Sequence, residues 1–373
     1  MYISKNIVTI LFLILFVCSC EYFFDNNNKK RNENVKPVTP LVETTPAISW
    51  GDNADDVAIW VNERNREKSL IFGTLKREGL AVYNLDGVMV QFINDGKFNN
   101  VDIRYNFNLN NQLIDILAAS NRSNNSIALY GIDKEKGKLF PITKRTIYSK
   151  LEMVYGICMY HNEIDNDYYV LATSKKGLIE QWRLILTDGA VDAEFVRTFK
   201  LSSQLEGCVA DDEQGFLFVG EEEVGVWRFS IRNNNDLYEK PLLIDHVGDG
   251  GHVNAEVEGL TLYTAANGDG YLIVSSQGVS HFDIYNRKPP HEYVGSFKII
   301  NNNALNIDEV TGTDGIDVIN VKINDTFAYG LFIAQDDENR KPRAHQNFKL
   351  VPWEKIAEPL NLIIDNEYVF WYQ

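Results

Sequence analysis

Leu70-Ile71-Phe72-Gly73-Thr74 is an apolar run that closes on a small residue and then a polar one, and the chain repeats that ending five more times. The copies are Ile116-Leu117-Ala118-Ala119-Ser120, Val170-Leu171-Ala172-Thr173-Ser174, Leu217-Phe218-Val219-Gly220-Glu221, Leu272-Ile273-Val274-Ser275-Ser276 and Leu331-Phe332-Ile333-Ala334-Gln335. After each of the first five comes a second apolar run with a large aromatic: Tyr83, Tyr130, Trp182, Trp227 and Tyr285. Phe348 to Val351 is a weaker sixth copy. Another apolar segment precedes each run, at 58–61, 101–107, 156–160, 207–210, 259–263 and 316–321. Short segments that are β-branched or aromatic and bounded by Gly, Asn and Asp read as strands. A period of roughly fifty residues repeated six times predicts an all-β six-bladed β-propeller, whose radial closure leaves few exposed edges. A large β-sandwich, the competing architecture, would not recur at such a period.

The residues just past the six endings divide by charge. Lys76, Arg122 and Lys175 follow the first three; Glu222, Gln277 and Asp336 follow the last three. If the runs are equivalent strands, these side chains form a ring at one end of the propeller. The innermost strands begin nearby with Asp55 and Asp56, Asp102, Tyr155, Glu206, Glu256 with Glu258, and Asp314. One such acid is ordinarily a turn residue, but acids at equivalent places in successive repeats point to a shared site. Clustered carboxylates repel unless a cation lies between them. Oxygen ligands without Cys or His favour Ca2+, which accepts six to eight oxygens in irregular geometry. Glu206, Glu222, Glu256, Glu258, Gln277 and Asp314 supply such oxygens. Lys76, Arg122, Lys175 and the Tyr155 hydroxyl supply donors suited to phosphate, so the ring fits a ligand with several phosphates.

The chain has 373 residues, 45% hydrophobic and 12% aromatic, enough for a large core in one or two domains. A net charge of −16 argues against nucleic-acid binding and requires bound cations for any polyanionic ligand. Residues 1–20 read as an export signal, with Lys5 ahead of an apolar stretch too short to span a membrane. Ser19 before Cys20, with Val17 two places before Ser19, resembles the bacterial lipoprotein processing site. The chain is therefore expected to be exported and anchored to the membrane through lipid on Cys20, with a secreted or periplasmic product as the alternative. Residues 21–47 are rich in Asn, Lys, Pro and Thr and read as a flexible tether, leaving 48–373 as the propeller. Cys158 and Cys208 lie in apolar runs and read as buried thiols, with a bridge between them as the alternative. There is no Gly-x-Ser-x-Gly and no metal-ligand spacing among the six histidines, so phosphoryl transfer here would use metal-activated water with no covalent intermediate.

With these residues in view, the chain resembles the β-propeller phytases, the alkaline calcium-dependent phytases, from Ser49 to Ala357. The segments that carry the resemblance are Asp55-Asp56-Val57-Ala58-Ile59-Trp60, Asn99-Asn100-Val101-Asp102, Glu206-Gly207-Cys208-Val209-Ala210-Asp211-Asp212-Glu213, Glu221-Glu222, Glu258-Gly259-Leu260-Thr261, Ser275-Ser276-Gln277-Gly278, Thr313-Asp314-Gly315-Ile316-Asp317 and Gln346-Asn347-Phe348-Lys349-Leu350-Val351-Pro352-Trp353. The resemblance implies catalytic calcium on Asp55, Glu206, Glu222, Glu256, Glu258, Gln277 and Asp314, and phosphate held by Lys76, Arg122, Tyr155 and Lys175. It further implies structural calcium at Asp56 with the carbonyls of Val57 and Val101, and at Asp308 with Gln335, Asp336 and Asn339. This removes Asp336 from the ring. Val57 stands where the family usually has Pro, Glu256 where it has Asp, and Glu309 to Gly312 depart from its Gly- and Asp-rich loop. The implied activity is stepwise hydrolysis of phytate, myo-inositol hexakisphosphate, taken as calcium-phytate by a monomer. A non-catalytic surface propeller that binds a partner or carbohydrate, and a propeller lactonase or phosphotriesterase with one central calcium, are the rivals. The cationic half-ring speaks against both.

Overall fold

A computed structural model describes residues 35–232 and 240–365. Its strands form six small sheets, each an antiparallel meander, arranged as the six blades of a propeller. Blade 1 runs from Ala54 to Ile93, blade 2 from Phe98 to Tyr148, blade 3 from Ile157 to Lys200 and blade 4 from Leu205 to His246. Blade 5 runs from Val257 to Ile299 and blade 6 from Ile316 to Pro352. In every blade the repeated apolar run is the second strand, flanked by the inner strand and by the aromatic-bearing third strand, as the pattern predicts. Second strands are buried on both faces, which explains why they read as continuous apolar runs without alternation.

Closure of the ring uses chain that the sequence reading assigned to the tether. Val42–Glu43 pairs antiparallel with Asn347–Pro352 and supplies the outer strand of blade 6. Val35–Val38 pairs parallel with Tyr293–Ile299 as a fifth strand on blade 5. The stretch from Val35 to Ala47 therefore belongs to the propeller. Its prolines hid this: a strand with Pro37 in it can occupy only a sheet edge, and its identity as a strand comes from the partner blade. Laying these two neighbouring strands on blades 5 and 6 covers edges that would otherwise be open. The expected signal segment and Cys20 lie outside the described residues.

A short helix, Trp353–Leu360, follows blade 6, and Trp353 stacks on Tyr263 of blade 5 with ring centroids 4.2 Å apart. The two cysteines are joined, which corrects the reading of them as thiols: Cys158 on the inner strand of blade 3 is bonded to Cys208 on the inner strand of blade 4. Sequence could not choose between the two states, because only the packing of adjacent blades decides whether two distant cysteines meet.

Candidate functional site

At one mouth of the channel the inner strands share a local distortion. Register slips between Ala54 and Val57, Phe98 and Val101, Leu205 and Cys208, and Val257 and Leu260. Each slip is a β-bulge, which re-aims the extra residue out of the ladder. The residues so presented are Asp55, Asn99, Glu206 and Glu258. Tyr155 and Asp314 stand at the same place ahead of the inner strands of blades 3 and 6. In blades 3 to 6 the next residue is Gly156, Gly207, Gly259 or Gly315. A Cβ on Gly156 would lie 1.9 Å from the Glu206 carbonyl oxygen, and one on Gly207 2.0 Å from that of Glu258. Glycine here lets each blade's backbone enter its neighbour, and Gly259 N donates to Asp314 O at 2.7 Å.

The small polar residue at the end of each second strand is what ties the mouth together. Thr74 Oγ1 donates to Asn99 O, Ser120 Oγ to Tyr155 O at 2.6 Å, Thr173 Oγ1 to Glu206 O at 3.1 Å and Ser275 Oγ to Thr313 O at 2.8 Å. Each bond runs from one blade to the next. Blade 4 has Gly220, where a Cβ would sit 2.7 Å from Val257 O, and in blade 6 Gln335 Oε1 accepts from Asp314 N at 2.9 Å.

Six carboxylates and amides converge on this mouth. Carboxylate oxygens of Glu206, Glu222 and Glu258 lie within 4.8 Å of one another, and all three residues are buried. Burial, reinforced by Glu206, Asp314 and Glu222, raises Glu258 well above the usual carboxylate range. Glu206 is raised by burial and then by Asp314; Glu222 is raised to about 7 by burial, against a hydrogen bond from Gln204. Asp55 is raised well above its ordinary value by burial, although Lys76 pulls it down. Gln277 Nε2 donates to Asp314 Oδ1, and Gln277 N donates to Glu256 O at 2.9 Å. Glu256 itself is exposed.

Lys76 sits within this group. Its Nζ is 2.9 Å from Asp55, 2.8 Å from Asp314 and 2.8 Å from Asp52. Burial alone would lower the ammonium's pKa, but the facing carboxylates outweigh it and hold it above its usual value. Arg122 and Lys175 take a different position, flanking Tyr155 with the guanidinium 5.8 Å and the ammonium 4.2 Å from the ring centre. Arg122 Nη1 also donates to Asn99 Oδ1 at 2.7 Å. Burial, with Glu206 nearby, raises the Tyr155 hydroxyl far above the physiological range, so it is a neutral donor. The cationic half of the expected ring is thus one lysine inside the acids and two cations around a tyrosine.

The donor set fits a hard cation. Asp55 Oδ2 and Glu258 Oε2 are buried and accept no hydrogen bond, and the carboxyls that crowd these side chains are Asp314, Glu206 and Glu222. Buried carboxylate oxygens left bare among like charges are the arrangement a divalent ion relieves.

Register refines three expectations. Lys76, Arg122, Glu222 and Gln277 each follow the residue paired at the head of the bulge, and in blade 6 that position belongs to Asp337, one residue past Asp336. Asp337 faces the mouth, with Asp314 among the charges that raise it after burial. Asp336 turns the other way, where Asp308 and Asp336 both pair with the fully buried Lys349 Nζ. Asn339 Nδ2 donates to His345 O at 3.2 Å, while Gln335 reaches the mouth. Asp102, expected at the mouth, lies farther down the channel against Arg104, and Asn99 occupies the mouth place in blade 2. The Asp56 carboxylate accepts from Val101 N at 3.0 Å and from Val57 N, so amides of both residues face it. Sequence reasoning missed Asp52, Asn99, Gln204, Asp337 and Lys349. Lys349 had a signal, as the one charge in Phe348 to Val351.

Comparison with known proteins agrees with this geometry. The family model described as Phytase matches residues 5–368. A 3-phytase of Bacillus subtilis (strain 168) is 44% identical over 337 residues, 88% of this chain and 86% of that protein. A solved structure described as "Crystal Structure of Mitotic Checkpoint Complex" superposes on 80% of this chain and 75% of its own at a TM-score of 0.45 and 14% identity, too distant to add to the strand topology. The chain belongs to the phytase family.

Proposed function

We propose that this phosphoric monoester hydrolase of the phytase family removes phosphate from myo-inositol hexakisphosphate, free or as its calcium salt, with calcium held by the mouth carboxylates. The observation that carries the reading is the packing of Glu206, Glu222 and Glu258 carboxylate oxygens within 4.8 Å, with Glu258 Oε2 buried and bare, beside Arg122, Tyr155 and Lys175. Asp55, Glu206, Glu222, Glu256, Glu258, Gln277 and Asp314 are the residues that would hold the ions. Bound calcium supplies charge neutralisation and Lewis-acid polarisation of phosphoryl oxygens.

The chain's own groups do the rest. Arg122 offers a planar fork to two oxygens of one phosphate, and its bond to Asn99 fixes the fork's direction. Lys175, exposed beside the Tyr155 ring, adds a point charge on the same side. Tyr155, kept neutral, donates its proton in a hydrogen bond to an oxygen on which negative charge grows in the transition state. Lys76 balances Asp55 and Asp314 and stands where a phosphate can displace them as partner. Transfer to water needs little covalent participation from the protein, so positioning and charge account for the rate.

Two supports extend the reading to location. The Cys158–Cys208 bond suits an oxidising compartment outside the cytoplasm. The Lys5-led apolar stretch and the Ser19-Cys20 pair support export with a lipid anchor on a bacterial membrane. The test of activity is phosphate release from the hexakisphosphate as calcium is titrated in and then chelated. Release that rises with calcium and stops on chelation is expected, and no release at any calcium level between about pH 6 and 9 would sink the proposal.

A further inference from the structure

Among the described residues one blade joint is covalent, and it lies directly beneath the mouth. Cys158 stands three residues past Tyr155 on the inner strand of blade 3, and Cys208 two residues past Glu206 on that of blade 4. Equivalent places in other blades show what this bond replaces. Asp102, Thr261 and Asp317 hold the same rung as Cys158, each three residues past the mouth residue of its blade, and each reaches the next blade. Asp102 Oδ2 accepts from Met159 N at 2.7 Å, Thr261 Oγ1 donates to Asp317 Oδ1 at 2.9 Å, and Asp317 Oδ2 accepts from Ile59 N at 2.8 Å. In blade 3 a sulfur makes the link. A free thiol is a weak donor and a weak acceptor, so with the bond open this rung loses its strong tie to blade 4.

The bond acts close to the metal-binding carboxylates. Register slips between Leu205 and Cys208, so Cys208, paired with Val219, is the first residue back in the ladder after the bulge that presents Glu206. Above it the joint is held by the Thr173 hydroxyl and by Leu205 N, which donates to Ser174 O at 3.2 Å. Glu206 faces Glu222 and Glu258, and without a cation such carboxylates push apart. A cross-link between residues 50 apart in sequence restrains both strands against that push and keeps the Tyr155 hydroxyl on Glu206. Cys158 is 1% and Cys208 9% exposed, and Cys208 lines a cavity of about 40 Å³ inside the channel with Asp56, Val101 and Gly259. The Cys208 sulfur is therefore the one a small reductant meets first.

We propose that Cys158 and Cys208 are positioning residues for the mouth, their bond acting as a redox-sensitive clamp. Closed, it holds Glu206 and Tyr155 in place; opened by a dithiol, it weakens calcium binding and turnover in a protein that stays folded. The effect on turnover rests on the phytase reading of the mouth. Opening runs by exchange: a thiolate of the dithiol attacks Cys208 Sγ to form a mixed disulfide, and the Cys158 sulfur leaves as a thiolate. The second sulfur of the reductant then closes onto the first and expels Cys208. Two electrons pass to the protein, the two protons given up by the dithiol end on the two cysteines, and the dithiol becomes a disulfide.

The test uses dithiothreitol as the dithiol. Calcium binding is measured by calorimetry on oxidised wild type, on wild type reduced after folding, and on the double variant Cys158→Ala with Cys208→Ala, all well below the melting temperature. Peptide masses report whether the bond is open. Reduced wild type and the double variant should bind calcium roughly tenfold more weakly, the range in which groups behind metal ligands act, and reoxidation should restore wild type. At fixed calcium, kcat on the hexakisphosphate should fall by a similar factor in both. Phe297→Leu, in the core shared by blades 5 and 6, lowers stability away from the mouth and is the control; its calcium Kd should match that of oxidised wild type. An unchanged Kd once the bond is open, a bond that dithiothreitol cannot open in the folded protein, or equal weakening in Phe297→Leu overturns the proposal. Redox-dependent calcium binding without activity on the hexakisphosphate supports the clamp and defeats the phytase reading alone. Because reduction is applied to folded wild type, the comparison stands even if the double variant does not fold.

Discussion

Replacing Thr173 by Val removes one hydroxyl and leaves the volume of the side chain nearly unchanged. In the structure that hydroxyl is fully buried, accepts from Gly156 N at 2.9 Å and lies 3.1 Å from both Leu205 O and Glu206 O. Valine strands the Gly156 amide and a carbonyl of blade 4 in a place water does not reach. Each of the two stranded groups costs about 1–3 kcal/mol, so the expected loss is about 2–6 kcal/mol. Thr173→Ser keeps the hydroxyl and gives up one methyl, a loss of about 1 kcal/mol. Urea unfolding of wild type and both variants measures the difference. Tyr155 precedes the stranded amide and Glu206 carries the stranded carbonyl, so kcat on the hexakisphosphate should drop in the Val variant and recover in the Ser variant. A Thr173→Val protein no less stable than Thr173→Ser would refute the idea that hydroxyls at the strand ends tie the blades together at the mouth.

Glu222→Gln keeps shape but removes a charge from the acid cluster; calcium affinity by calorimetry should weaken roughly tenfold or more, and unchanged affinity would remove Glu222 from the metal site. Lys76→Ala takes the cation away from Asp55 and Asp314, so without calcium the variant should lose about 3–5 kcal/mol, with calcium largely restoring it; equal losses with and without calcium would show that lysine and metal do not compete for the same carboxylates. Chelating calcium from wild type should lower stability by about 2.7 kcal/mol relative to a solution at a hundred times the Kd, read as a shift in denaturation midpoint. Asp283 is raised to about 6 by burial, against hydrogen bonds from Ser276 and Ser296. The folded state therefore holds a proton that the unfolded state has released, and stability from this group falls as pH rises between about 4 and 6, by roughly 3 kcal/mol. Asp283→Asn should remove that slope, and identical pH dependence in variant and wild type would refute the assignment.

Much of the fold was legible because a propeller writes its repeat into the chain. Second strands are covered on both faces, so their apolar character survives as an uninterrupted run, and the interval between runs counts the blades. The charged and polar residues past those runs were legible for the same reason: equivalent strands end at the same mouth. Tyr155, Glu206, Glu258 and Asp314 could be grouped from sequence alone, and the structure brings them together.

What sequence by itself determined is the count of blades, the face on which the strands end and the chemical types gathered there. Tertiary structure decided the rest, because it depends on contacts between segments with no sequence relation. A bulge between Phe98 and Val101 presents Asn99 at the mouth, while Asp102 lies beyond it in the regular ladder opposite Ala118, farther down the channel. A slip of one residue put Asp337 at the ring and turned Asp336 toward Lys349. Pairing with blades 5 and 6 made strands of Val35–Val38 and Val42–Glu43, whose own sequence is too broken by proline to declare it. Blade packing joined Cys158 to Cys208, and the same packing drew Lys76 between Asp55 and Asp314, where two buried carboxylates without a cation attract the nearest positive charge.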